Sequence, residues 1–193
     1  MNAQTRSQQP PRGVGWWLTP LRPLLLGMAA LAVAAFVASK TLPEHTIVIW
    51  SAVGKRGLAA SRSDFEIGIL IIGLVVFAVW IVAGLFLTLM PTRHLLVPNA
   101  AYWKAPGRTA EMRRRYATYL SRAIGITYWF VAAEVVVAIV SQRNGLLEIP
   151  WFPVVVSLLF VVILLVFAVW VFADGFRLPQ RQAAQRAAGS AGR

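Results

Sequence analysis

The chain has 193 residues, 58% of them hydrophobic and only 13% charged, with a mean hydropathy of +0.65 and a net charge of +12. A soluble domain carries about 25% charged residues, and an aqueous core of this length could not hide so much apolar surface, so a water-soluble globule is excluded. The absence of cysteine removes disulfide frameworks, thiolate metal sites and cysteine nucleophiles together, and the two histidines, His45 and His94, fall in different loops without ligand spacing.

Four apolar stretches are each close to the roughly 20 helical residues that cross a hydrocarbon core of about 30 Å. They run Leu21–Ser39, Ile67–Met90, Ile124–Val140 and Trp151–Ala173, and predict an all-α membrane protein, a four-transmembrane-helix bundle. Met1–Pro20 is polar until Trp16 and Trp17, which sit where an interfacial belt would place them; the stretch is expected to be disordered. The first span tolerates Pro23 in its first turn and is built from Gly27, Ala29, Ala30, Ala32, Ala34 and Ala35. Small side chains let a second helix approach, so it packs inside the bundle or against another copy, or else it is a generic anchor. Val37-Ala38-Ser39 could also end a cleaved signal peptide, but the basic segment before it is long for one, and the span is read as retained.

The loop that follows predicts a small extracytoplasmic β-hairpin. Thr46-Ile47-Val48-Ile49-Trp50 is β-branched and aromatic, Gly54 and Gly57 supply turn positions, and a second short segment passes through Ser61-Arg62 to Phe65. The second span ends at Pro91. The next loop is irregular from Val97-Pro98-Asn99 to Pro106-Gly107, and a breaker-free run then predicts one helix from about Thr109 to Val140, with Thr109 as its cap and Glu111 in its first turn. Asn144-Gly145 marks a short turn into the fourth span, the most lipophilic of the set. The tail, 174–193, is expected to be disordered and cytoplasmic, since residues 180–193 hold too little apolar surface to fold.

Positive charge orients the bundle. Arg6, Arg12 and Arg22 precede the first span; Arg93, Lys104, Arg108, Arg113, Arg114, Arg115 and Arg122 follow the second; Arg177, Arg181, Arg186 and Arg193 follow the fourth. The other face has Lys40, Lys55, Arg56, Arg62 and Arg143. The positive-inside rule puts both termini and the middle loop in the cytoplasm. There Arg113, Arg114 and Arg115 meet anionic lipid headgroups or act simply as topology determinants. Because the cations gather at span ends, no nucleic-acid partner is read from them.

One ionisable residue lies inside a span. Glu134 is ten residues into the third, with no cation at its depth, so it is a candidate intramembrane polar site. Depth matching brings the Trp80 indole and the Ser157 hydroxyl near it, with Thr127 on its own helix face. The functional reading is a proton or ligand site. The structural one is a neutral acid tying helices together by hydrogen bonds. A proton relay needs more than one carboxylate, which favours the structural reading. Trp50, Trp151 and the pair Tyr102-Trp103 read as interface anchors rather than ligand platforms.

Two motifs carry a resemblance. Leu42-Pro43, Trp50, Gly54, Ser61-Arg62 and Phe65 form the first, and Pro98, Tyr102-Trp103, Ala105-Pro106 and Arg108 the second. Together, over Leu21–Ala173, the chain resembles the domain-of-unknown-function 1648 family of bacterial integral membrane proteins. The resemblance marks Pro43, Gly54, Ser61, Arg62, Pro98, Tyr102, Trp103, Pro106 and Arg108 as family-motif positions. It departs at Ile49, where the family has His, and at Leu96, where it has Asn. What it implies is a multi-pass protein of the bacterial plasma membrane, with some relatives similar to immunity and signalling proteins.

The expectation is a non-enzymatic accessory or regulatory protein without a cofactor. Its partners are the lipid bilayer and a membrane protein or a second copy. Immunity or sensing toward a membrane-active peptide, and a small proton-coupled transporter using Glu134, are the alternatives.

Overall fold

The structure, a computed structural model, describes residues 21–47, 59–144 and 152–177. In chain order these form α1 (Arg22–Thr41), β1 (His45–Ile47), β2 (Ala59–Ser61), α2 (Arg62–Leu89), the single turn α3 (Ala100–Trp103), α4 (Thr109–Asn144) and α5 (Phe152–Trp170). Four of the helices are long and apolar enough to cross a membrane. α5 continues through a π-helical turn, Val171–Gly175.

Each boundary has a local cause. Pro23 sits in the first turn of α1, where its missing N–H costs nothing. α2 starts at Arg62, five residues before the expected Ile67, because Ser61 caps it: the Ser61 Oγ accepts the Asp64 N–H at 3.1 Å, and Asp64 places a carboxylate at the positive end of the helix. α4 starts at Thr109 itself, so Arg108 rather than Thr109 holds the cap position, its carbonyl accepting the Met112 N–H at 3.0 Å, and the helix continues past Val140 to Asn144. Its 36 residues span about 54 Å, longer than a hydrocarbon core is thick, and Arg113, Arg114 and Arg115 lie in its first two turns.

α1 and α4 form the centre. Leu24, Leu31, Ala34 and Ala38 bury against Ile124, Tyr128, Ala132 and Val135. The two backbones meet at Gly27 and Gly125. A Cβ on Gly27 would lie 2.7 Å from the Gly125 carbonyl oxygen, and one on Gly125 would lie 2.5 Å from the Pro23 carbonyl oxygen. Between the two readings of the Ala-rich first span, it is the packed one. Lipid tails are as apolar as leucine, so close backbone approach of this kind is what holds helices together in a bilayer.

α2 packs on this pair through Ile69 and through the Tyr128 hydroxyl, which donates to the Gly73 carbonyl at 2.7 Å. α5 touches the bundle sparingly. Phe130 and Phe160 stack at 4.0 Å, and the remaining attachment lies at the end of the molecule that carries the arginines, called here the basic end.

The expected extracytoplasmic hairpin is not supported at the length read from the sequence; among the described residues its pairing is limited to three rungs. β1 and β2 make a three-rung antiparallel ladder, His45 opposite Ser61, Thr46 opposite Ala60 and Ile47 opposite Ala59. The residues expected to lead out of the second strand, Arg62 to Phe65, form the first turn of α2 instead. Ser61-x-x-Asp64 is a helix-start signature, and the cap it makes prevails over the strand reading. Trp50, Gly54, Trp151, the turn at Gly145, the tryptophans at 16 and 17 and the tail from 178 to 193 lie outside the described residues, whereas 174–177, expected to open a disordered tail, continue α5 and bury Phe176, because an aromatic pocket receives that ring.

Candidate functional site

The four residues proposed as an intramembrane polar site are not brought together. Two hydrogen bonds set the register of α2 against α4: Trp80 Nε1 donates to Ser121 Oγ at 3.2 Å, and Tyr128 donates to Gly73. Six residues beyond Tyr128 and six before Gly73, Glu134 stands level with Ile67, near the end of the bundle opposite the basic end. Trp80 is bonded at the level of Ser121, thirteen residues or about 20 Å along α4 from Glu134. Thr127 donates to the Ala123 carbonyl of its own helix at 3.1 Å, and Ser157 is exposed on α5.

Glu134 itself is half-buried and is the one charged side chain in a cavity of about 170 Å³ lined by Phe65, Ile69, Ile72, Val131, Val135 and Ala138 among others. Centring two apolar windows at one depth ignores the register of the helices. Side-chain packing between α2 and α4 sets the register, and it displaces their apolar centres. A Trp80→Phe substitution is therefore expected to lower stability by about 0.6 to 1.7 kcal/mol, the range for an interhelical hydrogen bond in a membrane. Glu134→Gln is expected to change it little; unfolding in mixed micelles measures both.

The best-built polar constellation lies at the basic end. Leu95, Trp103, Met112, Val171 and Phe176 form a second buried cluster, with Met112 and Phe176 fully enclosed. Phe176 is ringed by aromatics: Trp103 edge-on at 5.8 Å, Tyr116 at 4.8 Å and Tyr119 at 5.7 Å. Such pairs contribute about 0.5–1.5 kcal/mol beyond their buried area.

The end of α5 leaves carbonyls with no helical partner, and side chains from three other segments supply donors. Gly175 O accepts from Arg115 Nη1 at 2.9 Å and from the Tyr119 hydroxyl at 3.0 Å. Phe176 O accepts from Trp103 Nε1 at 3.0 Å and from Asn99 Nδ2 at 3.4 Å. A Cβ at Gly175 would fall 2.8 Å from the Tyr119 hydroxyl, so any other residue here displaces the ring that bonds it. Asn99 holds φ 57°, a left-handed value that Asn accepts more readily than most residues, and so turns the chain into α3.

Arg113 does the same for α2. Its Nη1 donates to Leu87 O at 2.7 Å and to Thr88 O, and its Nη2 to Met90 O at 2.9 Å. A guanidinium over a helix C-terminus also meets the negative end of the dipole. Arg115 adds an ion pair with Glu111 at 3.1 Å and lies over the Trp103 ring at 4.5 Å. Arg113 and Arg115, expected either to meet headgroups or to act simply as topology determinants, direct their guanidiniums at the protein's own helix ends. Replacing Arg113 by Met is expected to lower stability by about 2–3 kcal/mol, with Lys restoring less than half because one ammonium cannot span three carbonyls; thermal unfolding in detergent reads it.

The second motif sits at the same place. Tyr102 meets Trp103 edge-on at 5.0 Å, and the Arg108 guanidinium stacks over Tyr102 at 3.8 Å, while Pro98 and Pro106 occupy the turns on either side of α3. The pair expected to be interface anchors divides, with Trp103 buried and Tyr102 half-buried. The first motif lies at the far end, where Ser61 caps α2, Arg62 donates to Leu42 O at 3.4 Å and Pro43 stands between α1 and β1.

Sequence reasoning missed Phe176, Met112, Tyr116 and Tyr119 as members of one site. The signal available was Phe-rich chain continuing past the fourth span beside an aromatic loop, but no spacing rule connects residues some seventy positions apart. The arrangement is a structural latch: it joins the foot of α5 to the loop and to α4, and its donors are spent on carbonyls. Among the described residues no group of three His, Asp or Glu side chains could hold a metal ion. No family model matches the chain, and no curated protein or solved structure matches it either.

Proposed function

We propose that this is a multi-pass membrane protein with its basic end in the cytoplasm, acting as an accessory or regulatory protein through lateral contacts rather than by catalysis. The observation that carries this is the contrast among the four long helices. In α1 and α4, 28% and 33% of the span residues are buried, but in α2 and α5 only 6%. α2 and α5 are apolar on every side and offer their faces to lipid or to another membrane helix. A bacterial plasma membrane and membership of the resembled family belong to the same proposal, supported by the two sequence motifs alone.

A cytoplasmic basic end puts fourteen Lys and Arg residues inside and five outside, counted over the whole sequence. A reporter fused after Arg193 is expected to be active only inside the cell, and activity on the outside would reverse the orientation. Site-specific photo-crosslinkers on the exposed faces of α2 and α5, at Leu74 and Leu165, are expected to trap one discrete partner or a second copy. A uniform absence of adducts from both helices would remove the proposed mode of action.

A further inference from the structure

α1 and α4 run parallel, and beside their contact they leave an apolar groove of about 760 Å³. Leu26, Val33 and Val37 line it from α1, Trp129 and Val136 from α4. From Leu26 to Val37 is eleven residues, about 17 Å of helix, close to the roughly 15 Å of hydrocarbon in one leaflet.

Both walls end in an arginine on the same side. Arg22 precedes Leu26, Val33 and Val37 by four, eleven and fifteen residues, the spacing of one helix face. Arg122 precedes Trp129 and Val136 by seven and fourteen, again one face. The Gly27–Gly125 crossing lies about one turn beyond each of them, so they stand at one level. Both are exposed. Arg113 and Arg115 are engaged with backbone carbonyls, whereas Arg122 lies only over the Tyr119 ring at 5.8 Å and Arg22 has no hydrogen bond or ion pair to another described residue.

We propose that this groove binds an anionic phospholipid, its phosphate held between Arg22 and Arg122 and one acyl chain lying along the groove past Trp129. The occupant follows from charge complementarity. A partner helix would fill the apolar part and leave two guanidiniums unanswered at the basic mouth of the groove, but an anionic lipid presents a phosphate and then an acyl chain in that order. Guanidinium forks match phosphate oxygens, and the aliphatic stems of both arginines extend the apolar wall toward the headgroups. The inference rests on the membrane-spanning reading.

The test reconstitutes the full chain in bilayers of equal phosphatidylglycerol and phosphatidylcholine, extracts it in mild detergent and counts retained lipids by native mass spectrometry. The expected result is one phosphatidylglycerol per chain in preference to phosphatidylcholine. Arg22→Gln with Arg122→Gln is expected to reduce retention about thirtyfold, from roughly a fivefold contribution per arginine. Arg93→Gln with Arg177→Gln removes the same charge elsewhere and is expected to change it less than twofold. Ala29→Phe fills the groove, keeps both arginines and is expected to reduce retention about tenfold.

Equal loss in the two double variants would reduce the effect to bulk charge, and full retention by Ala29→Phe would take the chain out of the groove; either overturns the proposal. Displacement by millimolar glycerol 3-phosphate would mean a headgroup site alone, and a lipid-free dimer would mean that a second copy fills the groove; each also overturns it. Recovery of the chain in the aqueous phase before extraction would overturn the membrane reading and this site with it, an outcome distinct from insertion without lipid preference.

Discussion

Gly125→Ala is expected to lower the stability of the folded bundle by about 1–3 kcal/mol, even though alanine is the better helix former. The added Cβ would stand 2.5 Å from the Pro23 carbonyl oxygen and 2.9 Å from its carbon, both backbone atoms that cannot rotate away, so α1 must move off α4. Movement there opens the whole contact, because Leu24, Leu31 and Ala34 bury against the same face of α4. Gly84→Ala is the matched control. Nothing lies within 4 Å of its Cβ position, so the same chemical change is expected to be neutral or to stabilise by up to about 1 kcal/mol. Unfolding of the two variants in mixed micelles compares them, and identical behaviour would mean that the crossing is not tight.

Phe176→Ala is expected to cost about 3–5 kcal/mol, the usual range for removing a fully enclosed phenyl ring. Its consequence is also local. The ring contacts Trp103, Tyr116 and Tyr119, and the adjoining carbonyls are held by Arg115, Trp103, Asn99 and Tyr119, so its loss loosens the loop and the foot of α5 together. Since α5 is attached elsewhere mainly by the Phe130–Phe160 stack, hydrogen exchange is expected to accelerate at 95–103 and 171–177 in one step. Phe172→Ala, at a ring 50% exposed, is the comparison and is expected to have a much smaller effect. Acceleration confined to 171–177, with the loop unchanged, would show that the latch does not act as a unit.

Much of the helical plan was legible. Pro23, Thr109 and Pro91 marked helix limits by chemistry confined to one turn, and the structure has helices that begin or end at or beside them. Ser61-x-x-Asp64 is equally legible as a capping signature, but the β-branched run before it points to a hairpin, and the two local signals compete over the same residues. The polar site was less legible. Glu134 stands out in any apolar window, but its neighbours depend on how far α2 and α4 slide past each other, and Trp80 with Ser121 and Tyr128 with Gly73 set that displacement. Tyr102-Trp103 was marked by motif, but the reason for the pair, a carbonyl at Phe176 awaiting the Trp103 N–H, lies 73 positions away.

Four apolar runs of about the length of a bilayer, an excess of cations at one set of their ends and a lone carboxylate within one run can all be read from the chain, because insertion and orientation respond to about twenty consecutive residues at a time. Which helices touch cannot. The glycine crossing of α1 on α4, the near-detachment of α5 and the turning of Arg113 and Arg115 onto helix ends each join groups from distant elements. In lipid, where hydrophobicity does not discriminate between helix faces, close backbone approach and a few placed donors choose among the packings that composition allows.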